Sequence, residues 1–182
     1  MSKINLSNLN KNNFRDLKIS IIGLGYVGLP LAVEFSKIFQ TVGYDKNKER
    51  IKELKKGIDI TNEVLSEEIL ENRNLKLTKN EQEISDSDIY IITVPTPVDK
   101  SNNPNLSPLK KASAMVGPYL KKKNIVIYES TVFPGCTEEI CVPLLEKYSN
   151  LTYNVDFFCG YSPERINPGD KINTLSKITK IT

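Results

Sequence analysis

The sequence contains no histidine and no tryptophan, and its three cysteines form no C-x-x-C pair. The absence of histidine excludes a histidine-ligated zinc site, a Ser-His-Asp triad and a Cys-His dyad within these 182 residues. The cysteines, Cys136, Cys141 and Cys159, are odd in number, and we interpret them as buried reduced thiols of a cytosolic protein. No metal site is expected.

Long hydrophobic runs are also absent. No segment approaches the roughly 18 consecutive apolar residues that a membrane span needs, and the Asn-rich N-terminus lacks the apolar core of a secretory signal. The 25 basic and 22 acidic residues leave a net charge of +3, too small to indicate a nucleic-acid partner. We therefore expect a cytoplasmic protein that contacts neither membrane nor nucleic acid, with one domain or one domain plus a fragment.

Apolar runs alternate with amphipathic segments from Lys18 onward, after a polar leader at residues 1–17. Strand-length runs lie at 19–22, 41–44, 75–77, 89–94, 125–128 and 157–161. Helical patterns lie between them, at 27–38, 46–56, from 66, at 109–119 and at 140–148. Strands without polar alternation are typical of parallel sheets covered on both faces. The pattern predicts an α/β fold with a Rossmann-like, doubly wound, mostly parallel sheet.

Residues 23–28 read G-x-G-x-x-G, directly after the first predicted strand and at the start of the first predicted helix. Asp45 ends the next strand, 22 positions after Gly23. In a dinucleotide-binding fingerprint, Gly23 permits the tight turn, Gly25 lets the pyrophosphate approach the backbone, and Gly28 lets the helix pack closely on the strand. The helix N-terminus then offers its amide groups to the phosphates.

Asp45 is the residue that predicts which dinucleotide binds. Its carboxylate would accept hydrogen bonds from the adenosine ribose hydroxyls and repel a 2′-phosphate, which favours NAD over NADP. Lys46, Lys48 and Arg50 follow closely and are expected to soften that repulsion. We predict NAD as the cofactor.

Polar or turn residues follow three further predicted strands, at 94–97, at 130–131 and at 162–165. Because the carboxyl ends of parallel strands share one edge, these segments are expected to line the crevice where ligands bind. Glu164 is placed to orient water or a substrate hydroxyl beside a nicotinamide, although a helix cap or a surface loop would also explain this segment.

Four motifs in this order resemble the UDP-glucose/GDP-mannose dehydrogenase family: Gly23–Pro30, Val94–Pro97, Glu129–Val132 and Tyr161–Asp170. The resemblance covers about residues 18–182. The last motif is most similar to the branch that oxidises UDP-N-acetylglucosamine or UDP-N-acetylgalactosamine. The resemblance implies a homodimeric enzyme of surface polysaccharide synthesis that oxidises the sugar C6 alcohol to a carboxylate with two NAD, through a cysteine thiohemiacetal and thioester.

The resemblance also implies site residues. The residues implied to bind the cofactor are Gly23, Gly25, Tyr26, Val27, Gly28, Asp45, Arg50, Pro95, Thr96, Ser130 and Thr131. Thr131 is also expected to position the catalytic water, and Glu164 to be the acid/base carboxylate of thioester hydrolysis.

Two departures from the family pattern bear on the substrate and on the extent of the chain. Pro168 stands where the UDP-glucose branch has a second glutamate, which argues for a UDP-N-acetylhexosamine. The nucleophilic cysteine, the central helix and the domain that binds most of the UDP-sugar lie C-terminal to these residues in the family. We therefore expect residues 18–182 to be the NAD-binding domain and the isolated chain to be inactive.

Three alternatives stay open at this point. One is a freestanding, non-catalytic NAD-binding module, and a second is a UDP-glucose 6-dehydrogenase. The third is another Rossmann enzyme, such as a hydroxyacid or 6-phosphogluconate-type dehydrogenase, against which the motif at 161–170 argues.

Overall fold

Parallel strands form one sheet at the centre of the computed structural model, which describes residues 14–101 and 103–163. The strands are β1 (Lys18–Ile22), β2 (Gln40–Tyr44), β3 (Leu75–Thr78), β4 (Ile89–Ile92), β5 (Ile125–Tyr128) and β6 (Phe158–Tyr161). Their order across the sheet is β3-β2-β1-β4-β5-β6, and every neighbouring pair is parallel. The chain reverses its direction of winding between β1 and β4, so a crevice opens at their carboxyl ends. The predicted doubly wound fold is confirmed.

Helices connect the strands, as the sequence pattern predicts. They are α1 (Gly28–Ser36), α2 (Lys48–Leu54), α3 (Ser66–Leu70), α4 (Ser107–Val116) and α5 (Val142–Ser149). Short 3₁₀ turns at Phe14–Asp16, Glu81–Ile84 and Gly117–Tyr119 accompany them. Among the described residues, no helix is long and apolar enough to cross a membrane.

The sheet separates two apolar cores because successive strand residues point to opposite faces. Ile21 and Ile91 belong to the core under α1 and α2, and Ile22 and Ile92 belong to the core under α4 and α5. These side chains are 3% exposed or less, which accounts for the apolar residues on both faces of β1 and β4.

The helix preceding α5 differs from the predicted α-helical stripe. Thr137–Cys141 forms a π-helical turn, in which the Val142 amide donates to the Thr137 carbonyl. Pro143 follows and has no amide proton to donate to the carbonyl four residues earlier, so the regular α-helical ladder begins only beyond it. Periodicity alone does not distinguish these two helix types.

The ends of two other elements also differ from the predictions. β4 ends at Ile92, not at residue 94, so Thr93 and Val94 belong to the loop at the carboxyl edge. α1 ends at Ser36, and Ile38, expected on its core-facing stripe, lies beyond the helix and is 57% exposed. At the start of the described residues, the Phe14 ring packs edge-on against Phe39 with 5.3 Å between centroids.

Candidate functional site

The glycine-rich turn joins β1 to α1 at the carboxyl edge of the sheet. Gly23 has a φ of +101°, which side chains disfavour, and its amide donates to the Tyr44 carbonyl over 2.8 Å. A Cβ on Gly28 would lie 1.8 Å from the Gly23 carbonyl oxygen and 2.5 Å from Thr93 Oγ1. Any side chain at position 28 would therefore push α1 away from β1.

Thr93, in the loop directly after β4, is hydrogen-bonded to this turn. Its hydroxyl lies 2.7 Å from the Gly23 carbonyl oxygen and 3.1 Å from that of Ile22, and either carbonyl can accept its proton. Thr93 is 7% exposed and is absent from the residues expected from sequence. Its only sequence signal is its place at the end of an apolar run, directly before the Val94–Pro97 motif.

The N-terminus of α1 is open to an anion. Its N-cap residue, Val27, makes no side-chain capping bond, whereas the side chain of Asn47 caps α2. The Leu29 amide donates to the Gly25 carbonyl oxygen over 3.0 Å and Pro30 has no amide proton, so the amides left for an anion at this positive helix end are those of the turn itself. A Cβ on Gly25 would meet no atom within 4 Å, so the space in front of the turn is free. The geometry fits a pyrophosphate.

Tyr26 and Val27 lie in this turn with different exposures. The Tyr26 side chain is 41% exposed beside Gly25. Val27 is 6% exposed and packs in the core under α1, so it can offer a ligand only its backbone.

Asp45 lies at the end of β2 and faces the same turn. Its Oδ2 accepts a hydrogen bond from the Leu24 amide over 2.9 Å, and its Oδ1 accepts one from the Asn47 amide over 2.8 Å. These two bonds fix the carboxylate, and each oxygen keeps capacity for a further donor. The geometry fits a carboxylate that receives ribose hydroxyls.

Arg50 lies beneath the turn, with a side chain 6% exposed. Its Nε donates to the Leu24 carbonyl oxygen over 2.8 Å, and its Nη2 pairs with Asp59 Oδ1 over 2.8 Å. Its Nη1 is buried and has no hydrogen-bond partner among the described residues. The structure therefore opposes the Arg50 charge with that of Asp59, which the sequence interpretation did not anticipate. Lys46 and Lys48 are exposed.

Asp59 is a site residue that the sequence analysis missed. Its carboxylate accepts hydrogen bonds from the amide and hydroxyl of Thr61 and from the amides of Glu63 and Val64, in addition to Arg50. Burial raises the pKa of Asp59, but the hydrogen bonds from Thr61 and Arg50 outweigh it, so the pKa lies below its usual value. Asp59 is ionised at neutral pH.

The loops after β4 and β5 are tied together by two side-chain bonds. Thr96 Oγ1 donates to the Thr131 carbonyl oxygen over 2.6 Å, and Ser130 Oγ donates to the Val94 carbonyl oxygen over 2.7 Å. Pro95 lies exposed between the two ties. The structure thus brings the expected residues of both loops together.

Two adjoining cavities lie along the carboxyl edge. The β2-side cavity, of about 330 Å³, is lined by Ile22, Gly23, Tyr44, Asp45, Lys46, Glu81, Val94, Pro95, Pro108, Lys111, Ala112 and Met115. The β5-side cavity, of about 610 Å³, is lined by Gly23–Val27, Asp45–Asn47, Thr93–Pro97 and Glu129–Thr131. Five residues line both: Gly23, Asp45, Lys46, Val94 and Pro95. Their sizes lie in the range of small-molecule sites.

Tyr44 and Glu81 form a hydrogen-bonded pair in the wall of the β2-side cavity. The Tyr44 hydroxyl donates to Glu81 Oε1 over 3.3 Å. Burial, together with the Glu81 carboxylate, raises the pKa of Tyr44 to about 12, so the phenol stays protonated at neutral pH. The rest of the lining is largely apolar and suits a flat ring.

Of the two residues expected to act in catalysis, the structure describes one. Thr131 is exposed and lines the β5-side cavity beside Glu129, which is 8% exposed. Glu164 lies outside the described residues. Ser162, directly after β6, is buried and lies at the same edge, where its amide donates to the Tyr128 carbonyl oxygen over 3.0 Å.

None of the three cysteines lines either cavity, and their thiols are unsuited to nucleophilic attack. Cys136 and Cys141 are fully buried, and burial raises the pKa of Cys141 to about 11. Cys159, expected to be buried, is only partly buried in β6, yet burial raises the pKa of its thiol to about 12. Thiols with such pKa values carry almost no thiolate at neutral pH. Among the described residues, no group of three acidic or cysteine side chains could hold a metal ion.

Comparison with known proteins identifies the fold and the family. Residues 17–182 match the UDP-glucose/GDP-mannose dehydrogenase family, NAD binding domain. The chain is 58% identical over 167 residues to the UDP-N-acetyl-D-glucosamine 6-dehydrogenase of Salmonella typhi, covering 92% of this chain and 39% of that protein. It is 57% identical over 168 residues to the enzyme of the same name from Pseudomonas aeruginosa, covering 92% of this chain and 40% of that protein.

A solved structure agrees with this assignment. The UDP-D-ManNAc dehydrogenase from Pyrococcus horikoshii superposes with a TM-score of 0.79 at 35% identity, covering 88% of this chain and 38% of that one. This chain thus spans about two fifths of the length of the relatives it matches.

Proposed function

The chain belongs to the UDP-glucose/GDP-mannose dehydrogenase family, whose NAD-binding domain it matches, and on that basis we propose that it serves a UDP-N-acetylhexosamine 6-dehydrogenase. The observation that carries the proposal is the crevice at the carboxyl edge. There an uncapped helix N-terminus, a fixed carboxylate and two tied loops surround adjoining cavities.

The arrangement of the crevice suggests how an extended dinucleotide lies along it. We place the pyrophosphate at the N-terminus of α1, against the space in front of Gly25. Asp45 receives the adenosine ribose hydroxyls, and the largely apolar β2-side cavity takes the adenine ring. Thr96 and Thr131 then lie along the nicotinamide half in the β5-side cavity.

The residues of this chain bind and orient the cofactor and line the crevice that shields it. When bound, NAD supplies the hydride acceptor for oxidation of the sugar C6 alcohol. Thr96 and Ser130 both commit their hydroxyl protons to loop carbonyls, so they can offer a ligand only oxygen lone pairs. The exposed Thr131 hydroxyl has no hydrogen-bond partner among the residues that the structure describes and is proposed to orient a water, with Glu164 as the acid/base partner.

The relatives support an N-acetylated sugar as the substrate. The two described above, at 58% and 57% identity, are UDP-N-acetyl-D-glucosamine 6-dehydrogenases. Pro168, in place of a second glutamate, agrees with that branch. We propose UDP-N-acetylglucosamine or UDP-N-acetylgalactosamine, oxidised to the uronate for surface polysaccharide synthesis.

Oxidation of an alcohol to a carboxylate with two NAD also consumes one water and benefits from a thiolate that holds the aldehyde between the steps. The buried thiols of Cys136 and Cys141 and the partly buried thiol of Cys159 do not fit that role. We propose that the nucleophile and most of the sugar-nucleotide site lie in a segment C-terminal to these residues. We also propose a cytoplasmic homodimer.

Two measurements test the proposal. Calorimetric titration of the purified chain is expected to show NAD binding. In an activity assay, the same chain is expected to form no NADH with any UDP-sugar. The longer protein that contains the chain is expected to form two NADH for each UDP-N-acetylglucosamine or UDP-N-acetylgalactosamine consumed, and far less with UDP-glucose.

Each outcome has a distinct meaning. NADH formation by the isolated chain would refute the proposal that its nucleophile lies elsewhere. NAD binding without turnover by the longer protein would instead favour a non-catalytic NAD-binding module. A preference for UDP-glucose would overturn the substrate assignment alone.

A further inference from the structure

We propose that Asp59 determines cofactor specificity, because it neutralises Arg50 beneath the glycine-rich turn and thereby maintains the preference for NAD over NADP. The inference rests on the proposed placement of the adenosine ribose at Asp45. It concerns a loop residue that lines neither cavity described above.

The backbone of one residue, Leu24, connects the charges involved. The Leu24 amide donates to Asp45 Oδ2 over 2.9 Å, and the Leu24 carbonyl oxygen accepts from Arg50 Nε over 2.8 Å. The Arg50 guanidinium therefore lies one residue's backbone away from the carboxylate proposed to bind the ribose. Its Nη2 continues the chain of contacts to Asp59.

Burial gives these charges more influence on one another than surface charges have. The side chains of Arg50 and Asp59 are 6% and 2% exposed, so water screens them poorly. Lys46 and Lys48 lie nearby but are exposed, where solvent and salt weaken their fields. The charges of the Arg50–Asp59 pair thus decide whether the buried groups beneath the glycine-rich turn are neutral or positive overall.

The 2′-phosphate of NADP adds about two negative charges at the ribose. With Asp59 ionised, the two carboxylates outweigh the single guanidinium, and the phosphate is repelled. With Asp59 neutral, Arg50 offsets the Asp45 charge, and the repulsion falls. NAD carries no charge at the 2′ position, so its affinity depends less on whether Asp59 is ionised.

The test compares NAD and NADP binding by calorimetry in wild-type chain, Asp59→Asn and Asp59→Glu. For Asp59→Asn, the ratio of the NADP to the NAD dissociation constant is expected to fall about tenfold, a change of the size that one buried charge produces. Asp59→Glu keeps the charge and is expected to keep the ratio, even if both affinities drop. A purely structural role would lower both affinities without this difference between the variants.

Asp86→Asn is the matched control. Asp86 precedes β4, at the edge of the sheet opposite the crevice, where it pairs with Lys18 and Lys121 and is 71% exposed. Its neutralisation changes the net charge by the same amount. For Asp86→Asn, the ratio of the NADP to the NAD dissociation constant is expected to equal that of the wild type.

Asp59→Asn leaves the buried Arg50 guanidinium without its counter-charge and can prevent folding, so a second pair of variants replaces Arg50, alone and together with Asp59. Arg50→Gln is expected to raise the NADP-to-NAD ratio, because Asp59 is then unopposed. Arg50→Gln combined with Asp59→Asn is expected to lower it again. This comparison also isolates the Asp59 charge from its contact with Arg50.

The results separate this inference from the proposed function. Wild-type chain that binds no NAD would contradict the cofactor site itself. NAD binding by the wild type, with equal ratios in wild type, Asp59→Asn and Asp59→Glu, would leave that site intact and overturn the role of Asp59. An equal ratio in Arg50→Gln and the double variant would overturn it in the same way.

Discussion

Thr96 Oγ1 donates a hydrogen bond of 2.6 Å to the carbonyl oxygen of Thr131, across 35 residues of sequence. The bond joins the loop after β4 to the loop after β5, directly over the β5-side cavity. Thr96 was expected to contact the cofactor, and Thr131 to position water. Their contact indicates that Thr96 also holds the backbone from which the Thr131 side chain projects.

Replacement of Thr96 by valine removes this bond with little change in side-chain shape. Because Thr131 is exposed, water can replace the lost donor, and the free energy of unfolding is expected to fall by about 1 kcal/mol or less. NAD affinity is expected to fall about fivefold as the loops loosen, measured by calorimetry. Thr152→Val, in the loop after α5, is the control, and an equal affinity loss there would contradict the prediction.

Two of the three glycines of the glycine-rich turn, Gly25 and Gly28, are expected to respond differently to alanine. Gly25→Ala places a methyl group in open space, so the protein folds with wild-type stability but loses most of its NAD affinity. Gly28→Ala places the methyl group 1.8 Å from the Gly23 carbonyl oxygen and is expected to lower stability by about 2 kcal/mol or more.

Thermal unfolding with NAD titration distinguishes these variants. If Gly25→Ala bound NAD as the wild type does, the pyrophosphate could not lie where it is proposed. If Gly28→Ala kept full stability, the close packing of α1 on β1 would not be required.

Asp45→Ala removes the proposed ribose acceptor and two hydrogen bonds to backbone amides. NAD affinity is expected to fall at least severalfold, because both the ribose contact and the position of the Leu24 amide are lost. Calorimetry checks this, and Asp99→Ala offers another exposed aspartate that accepts local amide bonds as a control. An unchanged dissociation constant for Asp45→Ala would defeat the assignment.

The thiols are expected to resist modification while the protein is folded. Burial raises the pKa of Cys141 to about 11 and that of Cys159 to about 12, so at pH near 8 both stay protonated, and Cys136 is fully buried. Ellman's reagent is expected to react slowly with the native protein. In guanidinium chloride it is expected to react with all three thiols. Rapid reaction of a native thiol would show that this core opens readily.

Asp59 is expected to contribute to acid sensitivity. Its pKa is lower in the folded protein than in the unfolded chain, so its ionised form stabilises the fold above the unfolded value of about 3.9. That contribution is lost as the pH falls through the folded pKa. Asp59→Asn is expected to be less stable at pH 7 but to lose less stability than the wild type between about pH 5 and about pH 2. Urea unfolding at several pH values measures both slopes.

Local patterns were sufficient to predict most of the fold. The strand after Lys18, the turn at residues 23–28 and the acidic end of β2 lie within a short stretch of chain. Each depends on neighbouring residues alone: apolar runs, glycine conformations and a helix start. The π-helical turn at Thr137–Cys141 was missed because its apolar spacing resembles that of an α-helix.

Long-range partners could not be predicted in the same way. Arg50 was expected to soften the repulsion between Asp45 and a 2′-phosphate, yet the structure pairs it with Asp59, whose side chain is 2% exposed. Nothing in the spacing of the two residues distinguishes this pair from the surface pairs nearby. Thr93 was likewise missed, because its hydroxyl acts on a turn 70 residues earlier in the chain.

The sequence by itself determined the α/β class, the glycine-rich turn and the acidic residue that accompanies it, because these follow from periodicity and from the conformations that glycine permits. The tertiary structure alone decided which charges neutralise each other and which loops are tied. Those contacts depend on the strand order, which brings the ends of β1, β2, β4 and β5 to one edge. Burial there strengthens each interaction because water is excluded.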